Sequence, residues 1–349
     1  MRAFAYLSQG QAGWIEKEIP KPTGVDGVIR PLLVAPCTSD VHNVAINCLA
    51  PHRILGHEGL GEIVAVGEGV KDFQVGEIVV VPPVTPDWRT VPSQLGAHQH
   101  CSGLITGQKL SNSEDGLMAE YALIRDLDAN AARIPPGVSW EGAVMAADML
   151  NTGLYGAQLA DVQPGDTVVV MGGGPVGLMA IAGARLRGAG RILAIGSRKA
   201  GVELARFYGA TDVLNYKEGD TTRQVYALTH KQGADCCICA GGGTEALGQA
   251  VAMVRWGGTV GNVNYFTTYG DLPVNNVRYG FGMGNKTIRG GECPGGRGRM
   301  EKLLALLQYG RVDPVPLITH RFQGLEQVET AFRLMAEKPP ELVKAVVAL

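Results

Sequence analysis

Thr167-Val168-Val169-Val170-Met171 runs into Gly172-Gly173-Gly174-Pro175-Val176-Gly177 and then into Leu178-Met179-Ala180-Ile181-Ala182-Gly183-Ala184-Arg185-Leu186-Arg187-Gly188, and this stretch decides the fold. The first five residues form a strand-length, largely apolar run, and the last eleven carry a helical pattern. The glycines between them give G-x-G-x-x-G. In a chain with 49 glycines that pattern arises readily by chance. Between a buried strand and a helix it becomes specific. Glycine lets the backbone approach a pyrophosphate, and the helix N-terminus supplies unpaired N–H groups and positive dipole to hold it.

The alternation continues outward. RILAIG (191–196), DVLNY (212–216), DCCICA (235–240) and GTVGNVNY (258–265) read as strands. KAGVELARFYG (199–209), a segment near 220–230 and TEALGQAVAMV (244–254) read as helices. Strands separated by helices predict a parallel sheet with right-handed crossovers, the doubly wound dinucleotide-binding architecture.

Upstream the texture differs. VIRPLLVAPC (28–37), GEIVAVG (61–67) and GEIVVVPP (76–83) are short strands broken by Gly and Pro, which predicts a β-rich, barrel-like domain. Residues 84–113 read as a long irregular lobe. Downstream, helices are expected near 298–309 and 324–337, followed by the strand LVKAVVAL, which returns to the first domain. The expected division is a catalytic domain over 1–150, completed by 294–349, and a nucleotide domain over 151–293.

Composition narrows the function. A formal net charge of −2 implies no large basic face, so nucleic acid is an unexpected partner. No apolar run approaches the roughly 20 residues of a membrane helix, and the N-terminal residues lack the pattern of a signal peptide. Seven irregularly spaced cysteines argue against a disulfide framework and for a reducing, cytoplasmic setting. Cys236, Cys237 and Cys239 share one expected strand and alternate in direction, so they form no common metal site. Cys48 reads as an ordinary small thiol, and His98 and His100 receive no role.

Two positions bear on cofactor choice and metal. The second strand of the nucleotide domain ends in Ile195-Gly196-Ser197-Arg198, where NAD enzymes carry an acidic residue for the ribose 2′-hydroxyl. A small residue, a hydroxyl and a guanidinium instead suit a 2′-phosphate, which predicts NADP(H). Cys37 in Cys37-Thr38-Ser39-Asp40, His57 in Gly56-His57-Glu58 and Asp148 in Ala147-Asp148-Met149 form a mixed thiolate, imidazole and carboxylate set. That set suits Zn²⁺ with one open position, where a substrate oxygen can be polarised. Spacing alone leaves scattered structural residues as the alternative.

The same segments carry a family resemblance. APCTSD (35–40), ILGHE (54–58), TPDWR (85–89), IGSR (195–198), KTIRGG (286–291) and CPGGR (293–297), with others from end to end, resemble the zinc-containing medium-chain dehydrogenases, nearest to the NADP-dependent secondary-alcohol dehydrogenases of bacteria and protists. The resemblance implies a GroES-like catalytic domain joined to a Rossmann domain, in a homotetramer. It implies one catalytic zinc per chain on Cys37, His57 and Asp148, with Glu58 a near or exchangeable ligand, and no structural zinc. Only Cys101 lies between 84 and 113, too few for a Cys₄ site.

Further roles follow from the resemblance. Ser39 and then His42 would relay the alcohol proton, beside Thr38. Gly172, Gly174, Pro175, Val176 and Gly177 would hold the pyrophosphate, Gly196, Ser197 and Arg198 the ribose phosphate. Thr152, Tyr216, Asn264 and Tyr265 would line the cofactor. Pro83, Trp88, Gln108 and Glu292 fall at substrate-pocket positions. Gln108 replaces a usual tryptophan, Glu292 an apolar residue and Pro83 a small one, so a more polar pocket and a substrate with extra hydroxyls or an amine are expected. The loop 46–51 is shorter than usual. Two rival readings are a zinc-free quinone or enone reductase and a non-catalytic NADPH-binding protein. The intact Cys/His/Asp set argues against the first, and that set together with Ser39 against the second.

Overall fold

The computed structural model describes residues 1–266, 270–276 and 280–349. The chain divides into two compact units, Met1–Asp148 with Pro294–Leu349, and Met149–Cys293.

The second unit is built on a six-stranded sheet. Its spatial order is Asp212–Leu214, Arg191–Ile195, Thr167–Met171, Ala234–Cys239, Val254–Asn262 and Thr287–Gly290. Every neighbouring pair is parallel. In chain order this is 3-2-1-4-5-6, the doubly wound arrangement. Helices Pro175–Leu186, Lys199–Tyr208, Thr221–Leu228 and Ala246–Met253 make the crossovers. A sheet covered by helices must bury its strands, which is why Val168, Val169 and Val170 are fully inaccessible and read as one apolar run. The expected helix over 244–254 stops at Met253, because Val254 opens the next strand.

The first strand ends against the glycine loop, and helix Pro175–Leu186 starts at once, with Gly174 as N-cap and proline at its first position. A Cβ at Gly177 would lie 1.9 Å from the Gly172 carbonyl oxygen. Only glycine permits this close packing of helix on strand.

The first unit is β-rich. A seven-stranded sheet runs Ile318–Gln323, Lys344–Ala348, Gly27–Val34, Gly59–Val66, Ile78–Val81 and Ala132–Arg133, with Ala122–Ile124 also paired to Gly27–Val34. Residues 1–16, read only as lacking a signal, form an antiparallel hairpin of Arg2–Ser8 and Gln11–Glu16. The C-terminal strand pairs antiparallel with Gly27–Val34, Val347 opposite Val34. Phe4, Ile29, Ile63, Val79, Leu117, Ile124 and Val347 are among the residues of its core. The 84–113 lobe holds one short helix, Val91–Gln94, and a 3-10 turn, His98–His100. No helix among the described residues is long and apolar enough to cross a membrane.

Candidate metal centre and nucleotide site

Strand Gly27–Val34 delivers Ala35-Pro36-Cys37, and Cys37 caps a helix that the sequence reading did not identify, Thr38–Ala45. Eight residues of mixed polarity carry little periodic signal. The helix is set instead by Asp40, whose Oδ2 accepts from the Cys37 backbone N–H at 3.1 Å. A thiol at a helix N-terminus is favoured as thiolate. Burial raises Cys37, but the Lys344 ammonium and His57 outweigh it and hold the thiol at about 7.

Gly56 has φ +90, and a Cβ there would meet the Met118 side chain at 2.7 Å. This turn presents His57 and Glu58 at the start of strand Gly59–Val66. Asp148 comes from a different feature, the π-helical turn Ala146–Leu150. Such wide turns recur at functional sites because they redirect one side chain from a helix.

These elements converge. Cys37, His57, Glu58 and Asp148 each offer a ligand atom, and the four atoms lie within 4.8 Å of one another. Cys37 Sγ is 4.0 Å and His57 Nε2 3.6 Å from Asp148 Oδ2. Donors around one tetrahedral zinc stand roughly 3.3–3.7 Å apart, given metal bonds of 2.0–2.3 Å. The spacings are therefore close to those of a loaded site, and the donor set fits zinc. Among the described residues, no other group of three or more His, Cys, Asp or Glu is placed to hold a metal.

The surroundings orient the donors. Asp40 is fully buried and takes four hydrogen bonds. Oδ1 accepts from His57 Nδ1 at 3.1 Å, Gly56 N at 3.2 Å and Ser111 Oγ at 2.8 Å, and Oδ2 from Cys37 N. Burial raises its carboxyl, but His57 and these donors hold it below the usual range. An acceptor at Nδ1 leaves the Nε2 edge of His57 directed at the cluster. Burial pushes His57 down, yet Asp40, Asp148 and Cys37 together raise it well above the usual imidazole value. A cation at Nε2 displaces that proton.

Glu58 stands apart from the other three donors. Its Oε1 accepts from Lys344 Nζ at 2.5 Å, both side chains being fully buried. Its Oε2 is buried with no hydrogen-bond partner among the described residues. Burial and the Cys37 and Asp148 charges raise Glu58, with Lys344 opposing. Asp40 and Lys344 were missed as site residues. Asp40 stood in the quoted Cys37–Asp40 stretch, and the signal for Lys344 was a lone charge inside the apolar strand LVKAVVAL.

Ser39 Oγ lies 3.2 Å from His57 Nε2. His42 is three residues further along the same helix and half-buried, and burial and then Lys338 lower it. Among the described residues no hydrogen bond joins Ser39 to His42, and Thr38 makes no side-chain hydrogen bond. Pro83 is buried, and next to it Val84 bridges Gln108, with Thr85 N donating to Gly107 O at 2.9 Å. Trp88 is partly buried. Its ring stacks on His98 at 4.8 Å and its Nε1 donates to buried Asn130 at 3.0 Å. Glu292 and Thr152 belong to the nucleotide unit. Cys48 is exposed, whereas burial pushes the Cys239 thiol up to about 11 and raises Cys236 and Cys237 as well.

In the nucleotide unit the expected cofactor residues other than Thr152, which lies on helix Asn151–Leu159, follow the carboxyl ends of the parallel strands, where this fold binds ligands. Gly172, Gly174, Pro175, Val176 and Gly177 follow the first strand, and Gly196, Ser197 and Arg198 the second. Tyr216, about half exposed, follows the third. Asn264 and Tyr265 follow the fifth, and Asn264 Nδ2 donates to the Gly242 carbonyl beyond the fourth at 3.1 Å. The Arg198 guanidinium reaches to 3.9 Å from a Cβ position built on Gly174, so it hangs over the glycine loop.

A GroES-like β unit with a Cys/His/Asp/Glu cluster and a doubly wound nucleotide unit define a metal-dependent dehydrogenase. The chain belongs to the zinc-binding alcohol dehydrogenase family: residues 25–136 match the alcohol dehydrogenase GroES-like domain and residues 175–308 the zinc-binding dehydrogenase domain. Among its relatives, the NADP-dependent isopropanol dehydrogenase of Thermoanaerobacter brockii is 52% identical, with all of both chains covered. The enzyme of the same name from Entamoeba histolytica is 47% identical over 100% of this chain and 96% of its own. The structure of alcohol dehydrogenase TADH from Thermus sp. ATN1 superposes with a TM-score of 0.86 at 30% identity, covering 100% of this chain and 99% of that one.

Proposed function

We propose that this chain is an NADP(H)-dependent dehydrogenase of secondary alcohols and ketones, with one catalytic zinc and a substrate pocket more polar than is usual among its relatives. The observation that carries this reading is the four-donor cluster of Cys37, His57, Glu58 and Asp148. A quinone reductase without metal, or a protein that only binds NADPH, has no use for it.

Cys37, His57 and Asp148 would hold the ion, with Glu58 retained beside it by Lys344. When bound, zinc supplies Lewis acidity at the substrate oxygen and the nicotinamide accepts or gives the hydride. The chain's own residues handle the proton. With His57 Nε2 committed to the metal, the Ser39 hydroxyl is left to take the alcohol proton and hand it towards His42. Burial and Lys338 lower His42, which keeps its ring neutral and able to receive it near neutral pH.

NADP preference rests on Gly196-Ser197-Arg198, where a carboxylate would repel a 2′-phosphate and a guanidinium pairs with it. Arg198→Ala is expected to raise KM for NADP⁺ about 10- to 100-fold, the loss of one charge-assisted contact, with little change for NAD⁺. Steady-state kinetics with both cofactors reads this, and an equal loss for NAD⁺ refutes the assignment.

Gln108 and Glu292 set an amide and a carboxylate at positions where the resemblance implies a tryptophan and an apolar residue, which supports a substrate with an extra hydroxyl or amine. A panel of 2-butanol, polyols and amino alcohols with NADP⁺ and NAD⁺ tests the whole reading. Turnover must vanish with a chelator and return with zinc. A clear preference for 2-butanol in kcat/KM ends the polar-pocket part alone. The reading extends to a cytoplasmic homotetramer. All seven cysteines are thiols, as a reducing compartment favours, and sedimentation of the purified chain tests the tetramer.

A further inference from the structure

The loop 107–112 is fastened to the metal-binding helix at two adjacent points. Ser111 Oγ donates to Asp40 Oδ1 at 2.8 Å, and Asn112 Oδ1 accepts from Asn43 Nδ2 at 3.0 Å. Asp40 and Asn43 are three residues apart on helix Thr38–Ala45, so both fasteners sit on one helix face. Asn112 Nδ2 in turn donates to the Gln108 carbonyl at 3.0 Å. The backbone that carries Gln108 is thus held by the same helix that carries Cys37 at its cap and Ser39 in its first turn.

Ser111 has a conformation that its side chain does not favour. Its φ is +67, in the left-handed region suited to glycine or asparagine, and the residue is only 1% exposed. A serine held there against its backbone preference points to work done by the hydroxyl. That hydroxyl shares Asp40 Oδ1 with His57 Nδ1 and the Gly56 amide. Three donors converging on one oxygen fix the carboxylate plane, and the carboxylate fixes the imidazole.

We propose that Ser111 is a positioning residue for zinc binding, which locks Asp40 and through it His57, and so ties the Gln108 loop to the metal. The inference rests on reading Cys37, His57 and Asp148 as zinc ligands. Ser111 is not one of the four donors, and it acts through Asp40 by reducing the freedom of the imidazole before the ion arrives. Removing the hydroxyl leaves Asp40 with three of its four donors, so the carboxylate and the imidazole it orients hold their direction less tightly.

The test compares Ser111→Ala and Ser111→Gly in the full chain. Zinc affinity is read by competition with a chromophoric chelator, and unfolding temperature with and without zinc. Both variants are expected to bind zinc about 10-fold or more weakly, as for other partners that orient a ligand. The gap between zinc-free and zinc-loaded unfolding temperatures narrows accordingly. Glycine relieves the positive φ, so Ser111→Gly keeps zinc-free stability while still losing zinc affinity. With cobalt(II) in place of zinc, the visible band of the variants shifts or broadens. Wild-type zinc affinity in both variants, with equal losses of stability in the two states, overturns the proposal. A wild-type chain that holds no zinc overturns the metal reading itself, and the proposal with it.

Discussion

His57→Ala lowers kcat/KM for alcohol oxidation by at least about 10³-fold, because a metal that polarises the substrate oxygen contributes several kcal/mol to the barrier. The variant leaves only Cys37 and Asp148 of the three central donors and opens a buried void. Asp40 loses one of its four donors but keeps the Cys37 and Gly56 amides and the Ser111 hydroxyl, so the helix cap survives. The glycine loop and Arg198, on which the proposed cofactor site rests, lie in the other unit and carry no change. NADPH affinity, followed by its fluorescence, is therefore expected to stay within about twofold of wild type. Metal content by elemental analysis should fall with activity. A His57→Ala chain that retains zinc and turns over at more than a tenth of the normal rate would remove the cluster from the mechanism.

The nucleotide unit was legible because its strands are buried on both faces. TVVVM and RILAI need no alternation to be recognised, and the glycine loop between strand and helix gives a local signal for a local job. The metal centre was legible only in part. Cys37, His57 and Asp148 could be named from residue type and resemblance, and the structure brings their ligand atoms together. The groups that orient them were not found. Helix Thr38–Ala45 is too short and too polar to announce itself, and the wide turn at Ala146–Leu150 looks like ordinary helix in sequence. Asp40 gains its meaning from Ser111, 71 residues away, and Lys344 from Glu58, 286 residues away. Long-range partners of buried charges leave no periodic trace. Trp88, placed by resemblance, likewise has partners that no local pattern announces: it stacks on His98 and donates to Asn130, 42 residues away.

Lys344→Met destabilises the zinc-free chain by about 3–5 kcal/mol, the usual cost of removing one partner of a buried ion pair. Methionine matches the stem of lysine, so the loss is of charge and not of volume. Glu58 would keep a buried carboxyl with Oε1 stripped of its donor and Oε2 already without one. For a domain of this size the fall in unfolding temperature is roughly 10 °C. Its pH dependence has a definite sign. Burial already lifts Glu58 well above its ordinary value of 4.5, with Lys344 opposing, and loss of Lys344 lifts it further. The folded variant then holds a proton that the unfolded chain has lost, so its stability falls as pH rises above the ordinary carboxylate range. The deficit against wild type is expected to be small near pH 5 and to widen towards pH 8. Glu58→Gln added to Lys344→Met removes the part of that slope below about pH 7, because the amide does not titrate, and recovers part of the stability; what remains above it belongs to Cys37, which Lys344 no longer lowers. Working without zinc matters, since a released Glu58 is drawn to the ion and would mask the loss. A pH-independent deficit, or one under about 1 kcal/mol, would mean that the pair is screened and that Lys344 does not control the charge of the metal centre.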